Sequence, residues 1–197
     1  MRKTTTFLTI HQPLRSMPLF FVTGNKHKFE EVKHYLSGID IHQKSFDITE
    51  IQGSPMEIAK EKAKQAAKLT NAPVIVDDTS LQLTAWKGMP GPYIVHFMKA
   101  IGPEGLYKML SPFADKSAEV VCVVAYCEPK KEPILFEGRV KGTITSPVPG
   151  RFDFDTIFTP DGCSLPFSKM PVEEKNTISH RAKALNKLKK FLLGSKQ

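Results

Sequence analysis

The chain has 197 residues, 41% of them hydrophobic and 24% charged, which is ordinary for a soluble globular protein with room for a sizeable core. The longest apolar runs, such as 120–126, are far too short to span a bilayer, so we expect no membrane partner. The formal net charge of +8 favours anionic partners such as nucleotides. No basic run is interleaved with aromatic residues, so we expect no nucleic acid partner.

The three cysteines indicate a reducing compartment. Cys122, Cys127 and Cys163 show no metal-ligand spacing, and any disulfide would leave one of them unpaired. We therefore predict a cytoplasmic location.

The first seventeen residues differ in composition from the rest. Residues 1–16 contain three basic residues, four threonines and no acidic residue, which loosely resembles a transit peptide. The segment is short and has little amphipathic order, so we favour a disordered extension over 1–17, with Met17 as the functional start. Residues 18–197 are then predicted to form a single domain.

The first half of the chain predicts strands that alternate with helices. An apolar run at 18–23 reads as a buried strand, and a glycine turn leads into a helix that begins at Lys26 with Asn25 as its N-cap. An extended stretch follows at 39–51. A helix is then predicted after Ser54-Pro55, and a buried strand at 74–76 that would deliver Asp77 and Asp78 at its carboxyl end.

The second half continues the pattern. Helical segments are predicted up to Leu110, followed by two long strands at 118–127 and 134–144, a Gly/Pro loop at 146–151, and a final helix from about Lys175. Strands separated by helices predict the α/β class.

The turn Thr23-Gly24-Asn25 is a candidate phosphate site, because backbone N–H groups are free at the start of a helix. Lys28 adds positive charge beside it. A strand–Gly–helix turn is also a common structural feature, and the spacing of a Walker loop is absent.

Asp77 and Asp78 are candidate magnesium ligands, since Mg²⁺ prefers hard carboxylate oxygens together with substrate phosphates. An Asx turn is the alternative explanation of the pair. Glu50 could add a third carboxylate, although the sequence alone does not place it nearby.

Two further segments carry candidate residues for base recognition. In 152–155, Phe152 and Phe154 could stack on a base, or they could face the core. In 174–181, Lys175 could bind a phosphate and His180 with Arg181 could recognise a purine edge, or all three could be exposed helix positions. No Cys/His pair or G-x-S-x-G turn indicates a covalent nucleophile.

Four separated segments resemble one family in their order and spacing. They are Thr23-Gly24-Asn25 with Lys28, Val76-Asp77-Asp78-Thr79, Gly88-Met89-Pro90-Gly91-Pro92-Tyr93, and Glu174-Lys175-Asn176 through Ser179-His180-Arg181. The chain resembles the inosine triphosphate pyrophosphatases, from about Pro18 to Phe191.

The resemblance implies an elongated α/β fold, with a long bent mixed central sheet flanked by helices and two lobes around a nucleotide-binding cleft. It also implies a homodimer that depends on Mg²⁺, for which Mn²⁺ can substitute. The expected substrates are inosine, deoxyinosine and xanthosine triphosphates, which would be cut to the monophosphate and pyrophosphate.

The resemblance also assigns roles. Glu50 and Asp78 would hold the metal, and Asp78, with Asp77 as a secondary candidate, would activate water. The triphosphate would meet Lys28, Lys62, Lys175 and the turn Thr23, Gly24 and Asn25, and the base would meet Phe152, Phe154, Asp155, His180 and Arg181.

Three positions depart from the family pattern in the base loop. Asp153 stands where glycine is usual, Phe154 where another aromatic is usual, and Thr156 where proline is common. These departures concern the choice of base. Two other functions remain open at this stage: a related pyrophosphatase acting on pyrimidine or modified nucleotides, and a binding protein that senses nucleotides or holds RNA.

Overall fold

The computed structural model describes residues 18–150 and 153–194. The predicted disordered extension over 1–17 and the predicted base contact of Phe152 lie outside the described residues.

The described residues form a mixed α/β fold around one seven-stranded sheet. The strands are β1 (Leu19–Val22), β2 (Ile41–Lys44), β3 (Val74–Leu83), β4 (Pro90–Gly91), β5 (Ser117–Cys127), β6 (Ile134–Ile144) and β7 (Phe158–Pro160). Their order in the sheet is β2-β1-β3-β5-β6-β7, with the short β4 paired to β3. β1 pairs in parallel with β2 and β3, and the other pairs are antiparallel. The predicted class, a mixed central sheet flanked by helices, is confirmed.

Within the part of the chain that the structure describes, five α-helices flank the sheet: α1 (Lys26–Tyr35), α2 (Pro55–Thr70), α3 (Ile94–Leu110), α4 (Val172–Ile178) and α5 (His180–Leu192). α3 is interrupted at Gly102, whose φ of 66° is left-handed. In the described parts of the chain, no helix is long and apolar enough to cross a membrane.

The two ends of the long strands β3, β5 and β6 contribute residues to separate hydrophobic cores. At one end, Leu81 and Leu83 pack with Leu106 and Leu110 of α3. At the other end the two faces of β3 differ: Ile75 packs on the side of α1 and α5, whereas Val74 and Val76 pack on the side of α2. Alanines of α2 allow that helix to lie close to the sheet; they are Ala59, Ala63, Ala66 and Ala67.

Local sequence signals explain how several helices begin. The Asn25 side chain accepts hydrogen bonds from the N–H groups of His27 and Lys28, which confirms the predicted N-cap of α1. Ser54 and Glu57 form a capping box at the start of α2, with Pro55 in the first turn.

Three predicted boundaries are wrong. The strand predicted at 74–76 continues to Leu83, so the two aspartates lie inside it and not at its end. In the extended stretch predicted at 39–51, only Ile41–Lys44 is a strand. The single final helix is two helices, because Ser179 adopts extended backbone angles and its hydroxyl caps α5 by accepting from Ala182 N.

Candidate active site

The pairing of β3 opens a gap beside the two aspartates. On the edge that faces β1, β3 pairs with β1 at Val74 and Ile75 and with β4 at Leu81 and Gln82. Its other edge pairs with β5 along its whole length. Among the described residues, the stretch 76–80 therefore has no strand partner on the β1 edge. By the register of the two strands, the turn that follows β1 lies opposite this stretch. Asp77 and Asp78 are inside the strand, but they lie next to an opening of the sheet, and openings of this kind are where α/β proteins commonly bind ligands.

Asp77 and Asp78 point to opposite faces of the sheet, because side chains alternate along a strand. Asp77 is on the side of α1 and α5, where Lys28 Nζ contacts its Oδ1 at 3.1 Å and Arg181 Nε contacts its Oδ2 at 3.2 Å. Burial opposes ionisation of Asp77, but the charges of Lys28 and Arg181 outweigh it and hold its pKa well below the ordinary value. Asp77 is therefore a paired carboxylate.

Arg181 joins the first and last helices across this carboxylate. Its Nη1 donates to Glu31 of α1, and its Nη2 lies 3.5 Å from Thr79 Oγ1. Burial would lower the pKa of Arg181, but the Asp77 carboxylate raises it above its ordinary value. Sequence reasoning missed Glu31. The available signal was its position one turn after Lys28 on the same face of α1.

Asp78 lies on the α2 side and shares a lysine with Glu50. Lys62 Nζ is 2.7 Å from Glu50 Oε1 and 3.4 Å from Asp78 Oδ1. The second oxygen of Asp78, Oδ2, is buried and has no hydrogen-bond partner among the described residues. Burial raises the pKa of Asp78 to about 6, because the Lys62 ammonium only partly offsets the loss of water. The hydrogen bond from Lys62 lowers the pKa of Glu50.

A third group lies next to Arg181, where α4 ends and α5 begins. Lys175 Nζ donates to Asp155 Oδ2, and it stands 5.5 Å above the centroid of the Phe167 ring. His180 is buried, and its Nδ1 has no partner in the described parts of the chain. Burial, aided by the charge of Arg181, lowers the pKa of His180 well below its usual value, so the ring is neutral at pH 7.

The two residues before Asp155, the partner of Lys175, also make defined contacts. Phe154 is buried in the same core as Leu106 and Leu110 of α3, with its ring centroid 6.4 Å from that of His180. Asp153 accepts a hydrogen bond from Phe154 N at 2.7 Å, so it caps the short 3-10 helix at Phe154–Thr156. The structure thus brings Phe154 to His180, and its expected contact with the base stays a prediction.

Thr23, Gly24 and Asn25 line the opening at the end of β1. Thr23 Oγ1 accepts from Asn25 N at 3.1 Å, and Gln43 Nε2 of β2 donates to the Thr23 carbonyl at 3.0 Å. These bonds fix the turn, and Asn25 then starts the helix that carries Lys28.

The residues present fit a divalent cation. Within 18–150 and 153–194, no group of three or more His, Cys, Asp or Glu side chains is arranged as a complete ligand set. Glu50 and Asp78 nonetheless converge on one ammonium, and Asp78 Oδ2 lacks a partner. Two carboxylates that leave other positions for phosphate oxygens and water are the donor set that Mg²⁺ commonly takes.

The paired groups carry almost no net charge by themselves. Four cations face five carboxylates, which leaves one net negative charge. The cations are Lys28, Lys62, Lys175 and Arg181, and the carboxylates are Glu31, Glu50, Asp77, Asp78 and Asp155. A highly negative ligand therefore needs further positive charge here, and a divalent cation would supply it.

Comparison with known proteins identifies the family. The Ham1 family matches residues 19–191, which is nearly the whole chain. The chain belongs to the Ham1 family. The sequence prediction of this family, made on four short segments, is confirmed.

Ham1-family relatives resemble this chain over almost their full length. An inosine triphosphate pyrophosphatase of Aspergillus fumigatus is 48% identical over 180 residues, covering 90% of this chain and 95% of that protein. One of Puccinia graminis f. sp. tritici is 45% identical over 184 residues, covering 88% and 96%. The solved Ham1 protein of Staphylococcus aureus has a TM-score of 0.77 and 31% identity, covering 90% and 100%. That of Coxiella burnetii has a TM-score of 0.81 and 26% identity, covering 91% and 100%.

Proposed function

We propose that this Ham1-family chain hydrolyses inosine, deoxyinosine and xanthosine triphosphates to the nucleoside monophosphate and pyrophosphate, and so clears deaminated purines from the nucleotide pool. Its relatives at 43–48% identity are named inosine triphosphate pyrophosphatases. The chain is accordingly a hydrolase, a nucleoside triphosphate pyrophosphatase. The observation that carries the proposal in the structure is the Glu50–Lys62–Asp78 cluster beside the open stretch of β3.

The lysines suit a triphosphate that lies along this opening. Lys28 and Lys62 approach β3 from its two faces, and Lys175 lies in α4. The ammonium groups of Lys28 and Lys175 are held by Asp77 and Asp155, so their positions are fixed before the substrate arrives. Positioned charge of this kind stabilises the transition state of phosphoryl transfer without reorganisation.

Asp78 is our candidate for accepting the proton of the attacking water. At pH 7 its carboxylate is ionised, and its Oδ2 has no hydrogen-bond partner among the described residues, so this oxygen can accept a proton. The water oxygen forms a bond to the α-phosphorus, the bond from that phosphorus to the pyrophosphate oxygen breaks, and the proton passes to Asp78 Oδ2. Mg²⁺, or Mn²⁺ in its place, would be held by Glu50 and Asp78 and would neutralise charge on the phosphates.

Base recognition is assigned to the groups around α5. His180 is neutral, and its Nδ1 is unpartnered among the described residues. Asp155 accepts a hydrogen bond from Lys175. Arg181 Nη2 carries two N–H groups, and among the described residues its one contact is a long one, 3.5 Å to Thr79 Oγ1, so it has a donor to spare. A donor at this position would satisfy the O6 of a 6-oxo purine and would be left unpaired against the amino group of adenine.

We also propose that the enzyme acts in the cytoplasm as a homodimer and takes no nucleic acid partner. Light scattering at micromolar concentration tests the dimer. A monomer that is fully active would contradict it.

The function is tested by measuring pyrophosphate released from inosine, xanthosine, guanosine, adenosine and uridine triphosphates, with Mg²⁺ and with EDTA. We expect release from the inosine and xanthosine nucleotides that requires Mg²⁺ and falls at least 100-fold in Asp78→Asn. Preference for uridine triphosphate would instead indicate a pyrimidine enzyme. No release from a folded protein would favour a nucleotide-binding role.

A further inference from the structure

Lys62 occupies the point on which the two proposed metal ligands converge. Its ammonium contacts both Glu50 and Asp78, whereas Lys28 contacts Asp77 and Lys175 contacts Asp155. The Lys62 side chain is 17% exposed, so it is largely enclosed between α2 and β3. Although burial lowers the pKa of Lys62, Asp78 and Glu50 raise it above the ordinary value, and the side chain is charged.

We propose that the Lys62 ammonium is a built-in counter-ion that competes with the divalent cation for Glu50 and Asp78 until the triphosphate of the substrate draws it away. The proposal rests on the proposed function, because it takes these carboxylates as the metal ligands. It adds that the metal and the nucleotide bind cooperatively.

The physical reason for a counter-ion is the burial of Asp78. A buried carboxylate without an opposite charge is strongly destabilising, and the Asp78 side chain is only 12% exposed. Lys62 supplies the opposite charge from the second turn of α2. Its flexible four-carbon stem lets the ammonium move by several ångströms without movement of the helix.

Substrate changes the balance because its phosphates offer Lys62 a more highly charged partner. Once the ammonium binds a phosphate, both carboxylates need a new cation, and the affinity for the divalent ion rises. Linkage requires that the metal raises nucleotide affinity by the same factor. A coupling on the order of tenfold is within the usual range.

Lys28 offers a matched control for a purely electrostatic effect. Its charge acts on both Glu50 and Asp78, but its ammonium contacts Asp77 on the other face of β3. Lys62→Gln and Lys28→Gln remove the same charge from the same site. Only Lys62→Gln removes the ion that sits between the metal ligands.

The test is Mn²⁺ binding to the full-length protein without nucleotide, followed by electron paramagnetic resonance. We expect Lys62→Gln to tighten the Mn²⁺ dissociation constant about tenfold, Lys62→Arg to leave it near the wild-type value, and Lys28→Gln to change it about threefold or less. An unchanged or weaker constant in Lys62→Gln overturns the proposal, as does an equal change in Lys28→Gln.

A wild-type measurement gives the same answer if the variants fold poorly. Crystals soaked in Mn²⁺ should show anomalous density at Glu50 and Asp78, with Lys62 Nζ turned away from both; density with Lys62 still between the carboxylates contradicts it. Pyrophosphate release by the wild type separates the two ideas. Metal-dependent release with no tightening in Lys62→Gln refutes only the counter-ion role, whereas no metal-dependent release and no Mn²⁺ binding refutes both.

Discussion

Replacing Asp78 by asparagine is expected to stabilise the metal-free protein at neutral pH while removing its activity. Burial raises the pKa of this carboxyl from 3.8 to about 6 in the folded protein. The folded state therefore binds the proton more tightly than the unfolded state, and it is penalised wherever Asp78 is ionised. A difference of roughly two pKa units corresponds to about 3 kcal/mol. The asparagine side chain carries no charge and avoids this penalty.

The pH dependence of the gain follows from the same shift. Above pH 6 the wild-type carboxylate is ionised in both states and the full difference of about 3 kcal/mol applies. As the pH falls from 6 towards 4, the folded protein takes up the proton first and the penalty disappears. At pH 5 roughly half of the gain should remain, and at pH 4 very little.

The measurement is urea denaturation of wild type and Asp78→Asn in EDTA, at pH 7.5, 5 and 4, or the melting temperature, which should rise by roughly 5 to 10 °C at pH 7.5. Asp77→Asn is the matched control, since it is the same substitution one residue away. It leaves Lys28 without its carboxylate partner and Arg181 with Glu31 alone, and should cost about 3–5 kcal/mol. A loss of stability in Asp78→Asn at pH 7.5, or a gain independent of pH, would show that the ionised Asp78 carboxylate does not destabilise the folded state.

Three other perturbations have definite expected outcomes. In Gly138→Ala the new methyl would lie 2.0 Å from the carbonyl oxygen of His180, so α5 must move; we expect a loss of more than about 3 kcal/mol in urea denaturation and a lower kcat/KM. A gain in stability would show that the approach of α5 to β6 is looser. Lys116→Met removes an ammonium that donates to the carbonyls of Leu110 and Ser111, at 2.6 and 2.9 Å, at the end of α3. It should cost about 1–2 kcal/mol with unchanged kcat/KM, and lost activity would contradict this purely structural role. EDTA should abolish pyrophosphate release, and added Mg²⁺ should restore it. Activity that persists in EDTA would show that hydrolysis needs no divalent cation.

Much of the fold could be predicted because its signals are local. The Asn25 cap, the start of α2 at Ser54-Pro55 and the two long strands all follow from side chains within a few residues of one another. The end of β3 was mispredicted for the same reason. Thr79 and Ser80 look like a turn, and their pairing with a buried strand more than forty residues away leaves no local mark.

The site was less predictable because its contacts are long-range. Arg181 and Glu31 are 150 residues apart in sequence, so nothing local connects them. Lys62 was named only from the resemblance, and the structure places its ammonium in contact with both Glu50 and Asp78. The sequence presented Asp77 and Asp78 as equivalent neighbours. Alternation along β3 gives them opposite faces, and hence different partners and opposite pKa shifts.

In the proposed reaction, water attacks the α-phosphate and pyrophosphate leaves in one step. Hydrolysis of inosine triphosphate with Mg²⁺ in ¹⁸O-labelled water, read by mass spectrometry of both products, tests it most directly. We predict one labelled oxygen in inosine monophosphate and none in pyrophosphate. Label in pyrophosphate, or inosine diphosphate with orthophosphate as the first products, would contradict the account.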